Sequence, residues 1–225
     1  MSIAVWLRIA LSLWVLCAAW AHAAPALPAA VQAELDAAVL AYESGQTLQA
    51  RRGFEALSRQ RVPAADYNLA VMHLRGEAPQ PDRARARRLL ERAAAGGFVT
   101  AQLMLAQALE TGDFGRRDLA AAHRWYAVAA DAGSVDAQVA MGTAHYLGRG
   151  QPKDPVRAAH WFREAAKGGD IGAMYLLASM YEQGDGVERD LRLARYWYDV
   201  AARNGDVAAP AKVKQLDELL GAVPG

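Results

Sequence analysis

The residues that could carry chemistry are few, and their spacing points to structure. Beyond the N-terminal segment there are four histidines, His73, His123, His145 and His160. A metal site or a general base needs such groups gathered, as on one face of an H-E-x-x-H helix, and no such pattern occurs. Neither a G-x-S-x-G elbow nor a phosphate loop is present. His73 and His145 share a periodic position with Tyr181, so they are expected to be packing side chains with one polar tip satisfied. His123 and His160 fall at non-equivalent positions. Asp82, Asp118, Asp154 and Asp190 could be imagined as an acidic array. Each, however, stands immediately before a helix-like stretch, where a carboxylate caps free N–H groups. Gly184-Asp185-Gly186 lacks the repeated acidic ligands and closing Glu of a calcium loop and reads as a turn. Arg83, Arg85, Arg87, Arg88 and Arg92 form a basic run. It would suit an anionic partner such as lipid or acidic polysaccharide. The interleaved Asp82 and Glu91 favour a solvated outer face. The sequence therefore names no catalytic, cofactor-binding or metal-ligating residue.

Composition narrows the function class further. The 225 residues are 53% hydrophobic and 22% charged, enough to bury a core. Lys+Arg number 25 against 24 Asp+Glu, without the excess positive charge that nucleic-acid binding rests on. The single cysteine, Cys17, excludes a disulfide framework and any multi-thiolate centre. At the N-terminus, Arg8 precedes a short apolar run from Ile9 to Trp20, followed by Ala21-His22-Ala23. This is the layout of an export signal cleaved after Ala23, and the run is short for a membrane-spanning helix. A retained anchor is the alternative. Leu16 before Cys17 argues against lipoprotein processing. The mature protein is expected in the periplasm or secreted, with no stable membrane insertion.

The strongest signal is a repeat of 36 residues. Ala65, Ala101, Ala137, Ala173 and Ala209 are evenly spaced, as are Gly76, Gly112, Gly148 and Gly184. The four aspartates form another column, Gly97, Gly133, Gly169 and Gly205 another, and Trp125, Trp161 and Trp197 another, with Leu89 in the first copy. Each copy reads as two helices. Helix A starts near the fixed Ala and ends at the first Gly. Helix B starts at the Asp cap and ends at the second Gly, which takes a left-handed conformation without strain. Pro155 suits the first position of its helix. Small alanines let helices approach closely, and the Trp column is expected to fill the wider gap between copies.

One hairpin cannot bury its own apolar face, so the copies must stack. The expected fold is all-α: a right-handed α-solenoid of helix-turn-helix repeats. The domain reading is a signal peptide at 1–23, a linker at 24–28 and a degenerate N-terminal hairpin at 29–64. Four repeats follow (65–100, 101–136, 137–172 and 173–208), then a C-terminal cap helix and tail at 209–225. Ala29–Glu43 and Thr47–Arg59 are expected to form the extra hairpin, and Pro210–Leu220 the cap helix.

The pattern Ala-x3-Leu-Ala-x6-Gly-x5-Asp, then x3-Ala-x2-Trp-x3-Ala-Ala-x2-Gly, resembles the Sel-one-like repeat, a bihelical cousin of the tetratricopeptide. The fourth copy carries it most fully, through Ala173, Leu177, Ala178, Tyr181, Gly184, Gly186, Val187, Asp190, Ala194, Trp197, Ala201, Ala202 and Gly205. The first departs at His73 and Leu89. The resemblance implies an adaptor that holds proteins together. Among exported bacterial members it implies a regulator of envelope signalling, a polysaccharide export factor or an immunity protein that binds a toxin. A cysteine-rich branch linked to β-lactam binding uses a Cys pair in each repeat, which this chain lacks, so that hydrolase-like activity is not carried over.

The resemblance also implies that the first helices line a concave side. On the helical wheel, the positions opposite the core are the second, sixth, ninth and tenth after the fixed Ala. They nominate Tyr67, Leu103, Gln107, Glu110, Val139, Thr143, Tyr146, Tyr175, Ser179 and Glu182 as a partner-binding groove. Tyr anchors with apolar patches and scattered polar groups suit protein recognition. The same side chains could instead pack between successive helices. The expected function is a non-enzymatic protein-interaction module with an envelope or secreted partner. The alternative is a toxin-neutralising immunity protein.

Overall fold

The computed structural model describes residues 27–221, and the export-signal reading of 1–23 lies outside them. Among the described residues there are eleven helices and no strand. They form two compact units divided between Ala132 and Gly133. The first unit holds α1 (Ala29–Glu43), α2 (Thr47–Arg59), α3 (Pro63–Arg75), α4 (Arg83–Ala95), α5 (Val99–Thr111) and α6 (Leu119–Asp131). The second holds α7 (Val135–Leu147), α8 (Pro155–Lys167), α9 (Ile171–Gln183), α10 (Leu191–Arg203) and α11 (Ala209–Gly221). Each unit has the α-solenoid construction, in which helices pack chiefly on their neighbours in chain order.

The aspartate column caps as its position implies. Asp82 accepts from the Ala84 and Arg85 amides, Asp118 from Ala121, Asp154 from Arg157, and Asp190 from Arg192 and Leu193. The glycines that end helices A, Gly76, Gly112, Gly148 and Gly184, have φ of 75°, 81°, 70° and 76°. A Cβ in that left-handed region would be strained, so the column cannot vary freely. Helices A begin two residues before the fixed Ala, earlier than the sequence pattern implied. In α7 and α9 the reason is a second cap: Ser134 and Asp170 accept from the Ala137 and Ala173 amides.

The alanine columns are packed out of solvent between the helices, where small side chains permit close approach. Ala65, Ala101, Ala137, Ala173 and Ala209 are wholly buried, and so are Ala86, Ala158 and Ala194 on the second helices. The large fillers differ from expectation. Leu90, Tyr126, Phe162 and Tyr198 are the buried ones, whereas Trp125, Trp161 and Trp197, one residue earlier, are only half-buried. The cause is helical geometry. The filler stands four residues after the fixed helix-B Ala, on the same stripe, while the Trp is turned to its edge.

Removing one cap leaves N–H groups of a first turn without a partner. Asp154→Ala is expected to lower stability by about 1 kcal/mol in urea unfolding, with helix content retained.

Candidate functional site: the faces of the first helices

In the first unit the nominated residues lie on α3 and α5. Tyr67 is buried and tilted against Phe98, with ring centroids 5.2 Å apart. It is a core residue and offers little to a partner. Leu103, Gln107 and Glu110 are half-buried. Glu110 accepts a 2.7 Å hydrogen bond from the Tyr126 hydroxyl. Burial first, and then the bond and charge of Glu110, push the Tyr126 hydroxyl well above its ordinary range, so it remains a donor.

In the second unit Val139, Thr143, Tyr146, Tyr175, Ser179 and Glu182 are all half-buried on α7 and α9. Val139, Tyr146 and Tyr175 pack against the core with one side and meet solvent with the other. Tyr175 meets Tyr198 edge-on at 4.9 Å. Lys153 stands 5.2 Å from the centre of the Tyr146 ring. Gln183 donates to Ser179 at 3.1 Å. Glu182 is the most constrained of the set. Tyr198 donates to it at 2.8 Å and Lys212 of α11 at 2.9 and 3.0 Å. Burial alone would raise its carboxyl, but the Lys212 and Tyr198 hydrogen bonds and the Lys212 charge outweigh that and hold it below the ordinary glutamate range.

Two sets of contacts around these faces were not singled out by the sequence pattern. The first links the ninth position of helix A to the filler of helix B. Glu110 meets Tyr126 and Glu182 meets Tyr198; the equivalent positions hold Leu74 and Leu90 in the first copy and Tyr146 and Phe162 in the third. Glu occurs only where the filler carries a hydroxyl, so comparing columns within the chain contains the signal. The second is a buried network in the first unit. Arg92 of α4 grips Asp66 of α3 with two hydrogen bonds, and Ser58 of α2 donates to Asp66 at 2.6 Å. Asp66 is 1% exposed. The bond to Asp66 raises the Arg92 guanidinium further above its ordinary value. Arg92 is thus not part of a uniformly solvated face. The other copies place Gln102, Gln138 and Met174 at the Asp66 position, and Val128, Glu164 and Val200 at the Arg92 position. The departure is paired in one copy.

His73 is buried, and its Nδ1 accepts from the Asp82 amide at 3.2 Å. Burial, then the Arg85 charge, lowers its pKa, which keeps the ring neutral and able to accept. In the later copies the corresponding aspartate amides donate instead to the backbone carbonyls of Leu109, His145 and Tyr181. His73 therefore serves the turn. No cluster of His, Cys, Asp and Glu able to hold a metal occurs among the described residues, and no helix among them is long and apolar enough to cross a membrane.

Arg92→Ala leaves the buried Asp66 carboxylate without its cation. It is expected to cost about 2–3 kcal/mol, the Ser58 hydroxyl remaining, against under about 1 kcal/mol for exposed Arg88→Ala; chemical denaturation of both variants checks the contrast. Glu182 has a lowered pKa when folded. Its contribution is therefore present above the unfolded glutamate value and lost as the pH falls through the folded one. Glu182→Gln is expected to flatten the acid limb of stability below the unfolded glutamate value, read as the melting temperature against pH.

The Sel1 repeat model matches four consecutive segments, 63–98, 99–134, 135–170 and 171–206. The period is 36, and the borders fall two residues before those read from the alanine column, at the observed starts of helices A. The structure is similar to a Sel1 repeat protein from Oxalobacter formigenes, at 26% identity and a TM-score of 0.75, covering 84% of this chain and 77% of that one. It is similar also to c5321, a protective antigen of uropathogenic Escherichia coli strains displaying an SLR fold. There the identity is 28% and the TM-score 0.74, covering 84% of this chain and 41% of that one. No curated protein matches the sequence. With the repeat model covering well over half of its length, and the capped hairpins and alanine columns in place, the chain belongs to the Sel1 repeat family.

Proposed function

We propose that this protein is a non-enzymatic adaptor or regulator of the bacterial periplasm that holds a protein partner on the faces of its first helices. Sel1 repeat proteins generally act as protein–protein interaction modules and non-enzymatic scaffolds. The observation that carries the reading here is the half-buried set on α7 and α9. Val139, Tyr146 and Tyr175 are anchored to the core on one side, with Thr143 and Ser179 between them. Such residues present rigid apolar and aromatic area at little entropic cost, and their polar neighbours set specificity. Leu103 and Gln107 offer a smaller face of the same kind on α5. The periplasmic address rests on the Arg8–Ala23 segment.

The test is affinity capture from envelope extract with the mature chain beginning at Ala24, beside a Leu103→Arg/Thr143→Arg variant. Both substitutions sit on half-exposed positions and place a long cation on each face. One protein recovered by the first bait and depleted more than about tenfold with the second, at unchanged circular dichroism, is the expected result. Equal recovery by both baits would move the site away from these faces. N-terminal sequencing of the periplasmic fraction is expected to begin at Ala24, and an intact Met1 in the membrane fraction would replace export with anchoring.

A further inference from the structure

The first unit carries an open cleft of about 810 Å³ between α2 and α4, floored by α3. Its walls are basic: Arg59 comes from α2, and Arg85, Arg88 and Arg92 come from α4. Three carboxylates lie in or beneath it, and each is already engaged. Glu55 pairs with Arg51 at 2.6 Å. Asp66 is held by Arg92 and Ser58. Asp82 caps α4 through the Ala84 and Arg85 amides at 2.8 and 3.0 Å.

What remains is unbalanced positive charge. Among the described residues, the Arg59 and Arg85 side chains have no carboxylate within 4.0 Å, and Arg88 reaches Asp82 only at 4.0 Å. Arg85 and Arg88 are three apart on one helix face, where like charges repel. A cleft lined by one sign of charge focuses the field on an incoming anion, and the planar guanidinium fork matches a carboxylate with two parallel bonds.

We infer that this cleft binds an acidic peptide segment of a protein partner, its carboxylates pairing with Arg59, Arg85 and Arg88. The inference rests on the interaction-module reading and adds to it a second surface and the chemistry of the partner. The lining favours a peptide over other polyanions. No aromatic ring lines the cleft for a sugar polymer to stack on. Its two leucines, Leu69 and Leu89, are buried, so no apolar anchor is offered to a bilayer.

The experiment uses the full mature chain and a fluorescein-labelled octaglutamate peptide, with octaglutamine as the uncharged control and anisotropy as the readout. Phosphatidylglycerol vesicles and polygalacturonate are run at matched charge. The expected result is binding of octaglutamate that weakens with salt, no binding of octaglutamine, and weaker binding of the other two polyanions. Arg59→Gln/Arg85→Gln/Arg88→Gln is expected to weaken the peptide more than tenfold at unchanged melting temperature, since none of the three holds a buried partner. Should the triple variant melt early, Arg59→Gln and Arg85→Gln singly are expected to weaken binding several-fold each. Unchanged affinity in these variants, equal binding of octaglutamine, or tighter binding of vesicles or polygalacturonate would overturn the assignment. The Leu103→Arg/Thr143→Arg chain separates this inference from the module reading. It is expected to keep octaglutamate while losing the captured partner. Loss of octaglutamate in the Arg variant alone therefore concerns the cleft, and equal partner capture by both baits concerns the module.

Discussion

Close approach of helices at alanine is the constraint on which the rest of the structure depends. Ala65, Ala101, Ala137 and Ala173 on the first helices, and Ala86, Ala158 and Ala194 on the second, have no accessible surface. A larger side chain there would push two backbones apart, and overpacking of that kind is costly in an interior packed like a crystal. Volume excluded from the contact line must go to its flanks. There Leu90, Tyr126, Phe162 and Tyr198 fill the space. The helices can meet so closely only if each begins and ends on register. The aspartate caps and left-handed glycines serve that register.

This division of labour also explains where polar chemistry is allowed. A buried Tyr hydroxyl needs a partner, and Glu110 and Glu182 supply it where the filler is Tyr126 or Tyr198. Where the filler is Phe162 or Leu90 the equivalent helix-A position holds Tyr146 or Leu74, and no carboxylate is buried to no purpose. Lys212 of the last helix then neutralises Glu182, which ties α11 to the fourth repeat. In the first unit the same logic gives the Ser58–Asp66–Arg92 network, in which three successive helices share one buried carboxylate. It also ties the N-terminal hairpin to the repeats. Tyr42 donates to Glu77 and accepts from Arg75, and burial followed by the Glu77 bond pushes its hydroxyl up to about 12.

The surfaces left over are of two kinds. The first helices present residues that are half core and half surface, with Val139, Tyr146 and Tyr175 packed on the core from one side. The cleft over α2 and α4 presents guanidinium groups whose neighbouring carboxylates are spent on caps and buried pairs. Rigid apolar area and focused charge are complementary means of recognition: one supplies residence time, the other encounter and selectivity.

Much of the architecture was legible in the residues alone, because a 36-residue period leaves few alternatives. Helix type, hairpin order, the Asp caps, the glycine stops and the helical N-terminal extension are local properties, written in spacing and capping chemistry. The α7 and α9 starts are also legible in Ser134 and Asp170, both capping residue types. What only the tertiary structure decided is which side of a column a side chain spends its area on. Tyr67 and Tyr175 occupy the same position of their repeats, yet one is core, packed on Phe98, and the other half-exposed. The Arg run reads as one basic stripe in sequence. In space it divides into Arg92, committed to Asp66, and Arg85 and Arg88, joined by Arg59 from another helix. Those outcomes depend on neighbours distant along the chain, and a helical wheel holds no information about what the opposite helix brings.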